Sequence, residues 1–224
     1  GSRICDIRVA GANKIPFIER DPYGIKPIVF GERMTDKGMS YAVTSESVAL
    51  DVIGYKRTID VGPGEVIFVG HDREIVHRKL VEKQHSPCIF EMVYFARPDS
   101  MIDGISVYKT RMRSGTAMGE QCRETGAPMP DVVIPIPDSS REAALAMAKE
   151  LGVPYREGLV KNRYIGRTFI MPNQEDRQNS VRRKLNTIPL EFEGKNVLLV
   201  DDSVVRGNTA KRIVGMAREA GAKQ

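Results

Sequence analysis

The stretch Asn196-Val-Leu-Leu-Val-Asp-Asp-Ser-Val-Val-Arg-Gly-Asn-Thr209 carries the most information about how this chain folds. Val197 to Val200 is apolar, valine-rich and too short for a buried helix, so it reads as an interior strand of a parallel sheet. Asp201 and Asp202 then stand at the carboxyl end of that strand, which is where open α/β sheets bind their ligands. A loop of Ser203, Val204, Val205, Arg206, Gly207 and Asn208 follows. Thr209 is suited to begin the helix indicated by Ile213, Val214, Ala217 and Ala220 at three- and four-residue steps. Gly221 closes that helix.

The chemistry of this unit is specific. The amino terminus of a helix carries unpaired N–H groups and a partial positive charge, so a phosphate is favoured there, and small residues let the backbone approach it. Adjacent carboxylates accept hydrogen bonds from vicinal hydroxyls, and a divalent metal relieves their mutual repulsion. Phosphate on one side and a diol on the other suit a phosphoribosyl group. An arbitrary Asp-Asp pair more often does no more than cap a βα turn.

Working outward, Val132 to Ile136 forms a second strand, followed by a turn at Pro137-Asp-Ser-Ser140. Ala144, Met147, Ala148 and Leu151 then lie on one helical face before Gly152. Asp138, Ser139 and Ser140 therefore occupy another strand-end turn, whose N–H and hydroxyl groups suit pyrophosphate or a metal-bound water. Taken alone, this turn reads as an N-cap made by Asp138 or Ser139. A parallel α/β domain starts near Asp131, after a helix over 106–124 with Gly126 and Pro128 beyond it. The earlier half has short β-like runs at 28–30, 41–43, 65–69 and 92–95, separated by Gly31, Gly38 and Gly62-Pro-Gly64, and reads as antiparallel. Residues 1–19 show no clear periodicity and read as linker or splice-derived sequence.

With 224 residues, 41% hydrophobic and 28% charged, the chain has the composition of a soluble globular protein of one or two domains. No apolar stretch approaches the ~20 residues that cross a bilayer, and no signal-peptide pattern opens the chain, so no membrane association and a cytoplasmic location are expected. Cys5, Cys88 and Cys122 are odd in number and widely spaced, which fits neither a disulfide framework nor a zinc motif. His71, His77 and His85 sit in no nucleophile motif. The formal charge is +5, and residues 161–184 hold seven Lys or Arg against Glu175 and Asp176, a local excess of five that accounts for all of it. With only Tyr164 and Phe169 as aromatics, that segment suits a polyphosphate better than a nucleic acid.

The segment Lys161-Asn-Arg-Tyr-Ile-Gly-Arg-Thr-Phe-Ile-Met-Pro-Asn173 is basic, lacks a period and carries Gly166 and Pro172 as breakers, so it reads as a mobile loop. Arginine pairs bidentately with phosphate oxygens, so closure of such a loop would neutralise a bound polyphosphate and exclude water.

The stretch 196–209 resembles the signature of type I phosphoribosyltransferases, which bind phosphoribosyl pyrophosphate (PRPP). Asn208 departs from it, since close relatives more often carry Thr, yet Asn still hydrogen-bonds phosphate. Together with 161–173, Pro98-Asp99, Asp103-Gly-Ile-Ser-Val-Tyr108, Arg20-Asp-Pro-Tyr-Gly-Ile-Lys-Pro27, Ser45-Glu-Ser47, Pro63-Gly-Glu65 and Tyr94-Phe-Ala-Arg-Pro-Asp-Ser100, it resembles one subgroup, the glutamine PRPP amidotransferases. The resemblance covers roughly residues 20–224.

It implies an α/β chain with an incomplete type I phosphoribosyltransferase sheet at 99–224. An antiparallel remnant of an amino-terminal-nucleophile glutaminase precedes it at 20–98, with 1–19 divergent. The family's reaction displaces pyrophosphate from C1 of PRPP by ammonia, drawn from glutamine in the intact enzyme, and begins purine synthesis. The resemblance gives Asp201 and Asp202 the ribose diol and Mg²⁺, adds Ser139 to the metal or pyrophosphate site, and gives Ser203 to Thr209 the 5-phosphate. Lys161, Arg163 and Arg167 would cover the leaving group. The family's glutaminase uses an amino-terminal Cys, and this chain begins with Gly1, so no glutaminase nucleophile and no glutamine hydrolysis are expected. The family is commonly a homo-oligomer. A crossover helix at 209–220 should also feed a further parallel strand, so the sheet is expected to lack its next member.

Overall fold

A computed structural model describes residues 17–70, 74–162 and 185–224, with the backbone alone of Ile4–Ile7. Two compact units emerge, Gly1–Thr110 and Arg111–Gln224.

In the first unit, strands β1 (Ile4–Ile7), β3 (Val29–Thr35), β4 (Gly38–Thr44) and β5 (Lys56–Asp60) form an antiparallel sheet in the order β1-β4-β3-β5. A second antiparallel sheet orders β2 (Phe17–Glu19), β6 (Glu65–Val69) and β7 (Ile75–Lys79) as β2-β6-β7. Strand residues alternate between faces. Phe30 and Tyr41 therefore join Ile18, Ile67 and Val69 of the other sheet in one core. Their neighbours Val29 and Ala42 pack instead with Leu50 of helix α1 (Ser47–Val52) and with Tyr55. This is the half read as antiparallel. Ile4–Ile7, inside the stretch read as linker, pairs with Thr44 to Tyr41 as an edge strand. Its pattern is too short to register as a period, and the partner strand supplies what the sequence lacks.

The run 92–95, expected as a strand, is a π-helical turn at Glu91–Phe95 closed by the Ala96 N–H donating to the Glu91 carbonyl at 2.9 Å. A short apolar run cannot distinguish strand from helix by period. The decisive contacts are tertiary: Glu91 is buried and paired with Lys26, while Tyr94 and Phe95 are exposed.

After the β8 (Met101–Ile102) and β9 (Ile105–Ser106) hairpin, the chain passes from one unit to the next within α2 (Val107–Glu124). The compact units meet at Thr110/Arg111, and Ala96, Ile102 and Val107 share a small core within the first of them.

The second unit is built on β10 (Val132–Pro135) and β13 (Val197–Val200), which pair in parallel with Pro135 opposite Val200. Helices cover both faces, as a parallel sheet requires. Val133, Leu198 and Val200 face α3 (Arg141–Leu151) and Met118 of α2. Val132, Ile134 and Leu199 face α4 (Asn208–Glu219), Phe192 and Leu159. Between β10 and β13 in the chain come β11 (Leu159–Lys161) and β12 (Leu185–Thr187), an antiparallel pair. Helix α2 approaches α3 so closely that a Cβ on Gly115 would sit 2.0 Å from the Ala143 carbonyl oxygen.

Gly152 and Gly221 leave α3 and α4 in left-handed conformations, φ +72° and +95°, as expected of helix-closing glycines. Past α4 the backbone returns beside β13: the Lys223 N–H donates to Lys195 and the Val197 N–H donates to Gln224, at 2.9 and 2.8 Å. Among the described residues, no helix is long and apolar enough to cross a membrane.

Candidate functional site

Parallel pairing of β10 with β13 brings two turns of distant sequence to the same end of the sheet. Ile136 stays tied to β13 through its N–H, which donates to the Val200 carbonyl at 2.8 Å. Beyond it the chain turns through Pro137, Asp138 and Ser139 into α3. The Ser139 hydroxyl donates to Asp202 Oδ2, and the Ser203 hydroxyl donates to Asp202 Oδ1 at 2.8 Å. Asp202 is thus the acceptor that joins the two turns. Asp201 Oδ1 accepts the Asp202 N–H at 2.9 Å, and among the described residues no hydrogen bond engages its other oxygen.

Asp201 is half-buried, and its carboxyl is raised above the ordinary 3.8, first by that burial and then by the neighbouring Asp202 charge, against the lowering effect of the Asp202 N–H. The sign for stability follows. A raised folded-state pKa means that folding favours the protonated acid, so this contribution is complete below 3.8 and is lost as pH rises through the raised value. At neutral pH the ionised Asp201 opposes folding. Asp201→Asn is therefore expected to melt above the unsubstituted chain at pH 7, with the gap closing below about pH 4 in a thermal melt series. A variant that melts lower at pH 7 would contradict this.

The loop after Ser203 presents backbone rather than packed side chains. Val204 and Val205 are 70% and 79% exposed, and Arg206, Asn208 and Thr209 are exposed. Gly207 adopts φ +71°, a conformation that glycine takes without strain, and caps α4, which begins at Asn208. Thr209 lies inside the first turn instead of starting it, because the left-handed step at Gly207 lets the helix begin sooner. In the other turn, α3 is capped by Ser140 rather than by Asp138 or Ser139. Asp138 and Ser139 have other partners, whereas the Ser140 hydroxyl is buried with no hydrogen-bond partner among the described residues.

Lys161, on β11, reaches the same turn and pairs with Asp138 Oδ2 at 3.1 Å. Arg163 and Arg167, expected beside it, lie outside the described residues. Three groups at this turn escaped the sequence reading. Arg141 pairs with Asp138 Oδ1 at 3.1 Å and with Glu157 at 3.1 Å, and Glu157 Oε1 accepts the Tyr155 hydroxyl at 2.5 Å. Burial, with Glu157 adding to it, pushes the Tyr155 hydroxyl well above its usual range, so it stays a donor. Arg141 reads as an ordinary exposed helix residue, and no local pattern marks it.

The donor set suits a hard cation. Mg²⁺ is typically held by one or two carboxylates together with waters and ligand phosphates. Asp201 and Asp202 offer hard oxygen ligands at one strand end. Among the described residues no group of three His, Cys, Asp or Glu could hold a metal, so ligand oxygens would complete the coordination.

Comparison with known proteins places the chain among its relatives. The family "Phosphoribosyl transferase domain" matches residues 109–224. The amidophosphoribosyltransferase of Pseudomonas aeruginosa is 58% identical over 206 residues, 91% of this chain and 41% of that protein. The amidophosphoribosyltransferase of Escherichia coli is 52% identical over 227 residues, 100% of this chain and 45% of that protein. Among solved structures, the glutamine PRPP amidotransferase from B. subtilis complexed with ADP and GMP superposes with a TM-score of 0.79. It is 42% identical, over 93% of this chain and 44% of its own. The chain spans under half the length of these relatives.

Proposed function

The chain belongs to the phosphoribosyltransferase family, and on that premise we propose that its two strand-end turns bind PRPP with Mg²⁺ as part of an amidophosphoribosyltransferase. The reaction is displacement of pyrophosphate from C1 of PRPP by ammonia, giving 5-phosphoribosylamine. The observation that carries the reading is the Ser139–Asp202 hydrogen bond, which makes one site of a phosphate-ready turn and a diol-ready carboxylate pair.

The burden of this reaction is electrostatic. As the C1–oxygen bond breaks, the sugar gains positive and the leaving group negative charge, so anions near the ribose and cations near pyrophosphate lower the barrier. Asp201 and Asp202 supply the first, accepting hydrogen bonds from the ribose hydroxyls. Lys161 supplies the second, in company with Arg163 and Arg167 of the basic segment. The N–H groups entering α4, together with Thr209, hold the 5-phosphate. Bound Mg²⁺ would add charge neutralisation at the pyrophosphate oxygens, held by Asp201, Asp202 and Ser139. The antiparallel two-sheet build of the first unit supports its reading as glutaminase-derived. Ammonia, or glutamine in the whole enzyme, is the nitrogen source, and the cytoplasm is the proposed location.

A calorimetric titration of PRPP with Mg²⁺, followed by addition of ammonia to the same sample, tests the proposal. Saturable binding and pyrophosphate release are expected. Binding without release would reassign the chain as a PRPP-binding module, and absence of binding would defeat the reading.

A further inference from the structure

We infer that Arg141 is an additional pyrophosphate-binding residue and that Asp138 is a built-in competitor, an internal anion that holds Arg141 and Lys161 together until the ligand's anion displaces it. The inference rests on the proposed PRPP site and extends it to ligand competition.

The two oxygens of Asp138 are divided between two cations: Oδ2 takes Lys161 Nζ and Oδ1 takes Arg141 Nη1, each at 3.1 Å. An ionised carboxylate has no proton to donate and repels phosphate oxygens, so the Asp138 side chain competes with pyrophosphate for these two cations, whatever the turn's backbone N–H groups offer. Its place between two cations is the place a phosphate group would take. Arg141 is held from its other side, where the Nε donates to Glu157 Oε1 at 3.1 Å and Oε2 at 3.3 Å. Glu157 is itself fixed by the Tyr155 hydroxyl and belongs to the segment beside β10, with the Arg156 N–H donating to the Val133 carbonyl at 3.0 Å. Arg141 is thus tethered through Nε at one side, while Nη1 is free to exchange Asp138 for phosphate oxygens.

A second observation bears on the same turn. The Ser140 hydroxyl, between Ser139 and Arg141 in sequence, is on a residue 1% exposed and has no hydrogen-bond partner among the described residues. Unpaired buried hydroxyls are uncommon, and an oxyanion at the start of α3 would engage it. The four charges Lys161, Arg141, Asp138 and Glu157 cancel, so the turn is electrically neutral until Asp138 lets go. All four side chains are roughly half exposed, so the exchange breaks surface ion pairs, which are weak, and forms charge-assisted phosphate bonds, which are stronger.

The test is calorimetric titration of inorganic pyrophosphate with Mg²⁺ into the chain and into Arg141→Gln, Arg141→Lys, Asp138→Asn and the Asp138→Asn/Arg141→Gln pair. Arg141→Gln is expected to weaken binding by about three- to tenfold, with Arg141→Lys recovering part of the loss. Asp138→Asn should tighten binding by about threefold, and by less when Arg141 is already gone, a non-additivity that a merely structural Arg141 would not produce. Unchanged affinity for Arg141→Gln, or equal gains from Asp138→Asn in both backgrounds, would overturn the inference while leaving PRPP binding standing. If neither pyrophosphate nor PRPP binds the unsubstituted chain, this inference falls together with the site itself.

Discussion

Replacing Asp201 and Asp202 together by asparagine is expected to weaken Mg²⁺-dependent PRPP binding at least about 100-fold, roughly 2.7 kcal/mol. The loss has two sources. Carboxylate acceptors form charge-assisted hydrogen bonds to hydroxyls about twice as strong as neutral ones, and both are removed from the diol. The pair is also the part of the site that suits a hard cation, and an amide is a poor substitute for a carboxylate there. The variant should nevertheless fold. An asparagine in place of Asp202 keeps an oxygen that can accept from Ser139 or Ser203, and removing the half-buried charge of Asp201 relieves a cost. Calorimetry beside a melting curve separates the cases: intact melting with lost binding supports the assignment, and unchanged affinity sinks it.

Phe192→Ala is expected to destabilise the second unit by about 3–5 kcal/mol. Phe192 is fully buried and packs with Ile134, Leu159, Ile213 and Met216, joining the sheet to α4. The surroundings have little slack: a Cβ on Gly158 would already lie 2.9 Å from the ring. A residue in such a place leaves a cavity that neighbouring strands cannot fill without moving. For a unit of this size the melting temperature should fall by more than about 10 °C. A calorimetric scan that moves by less than about 2 °C would show that the 3₁₀ turn at Pro189–Glu191 simply repacks.

Much of the second unit was legible because its signals are local. Four apolar residues, two acids, a glycine loop and a three-and-four-step helix describe β13, its turn and α4 without reference to the rest of the chain. The same holds for β10, Gly152 and α3. Where the local signal was ambiguous, the reading went astray. The run 92–95 has strand-like residues, yet burial of Glu91 against Lys26 makes it a π-helical turn. Ile4–Ile7 has too few residues to show a period, yet β4 pairs with it.

The sequence by itself determined the strand–turn–helix units and carried the proposal of phosphate-and-diol chemistry for Asp201 to Thr209, because periodicity, turn chemistry and capping act between near neighbours. Only the tertiary structure decided that Ser139 meets Asp202, 63 residues away, and that Asp138 lies between Lys161 and Arg141. Those meetings depend on the parallel register of β10 and β13 and on where α3 and β11 leave the sheet. That register is set by which faces the whole unit can bury, a property no short stretch of sequence contains.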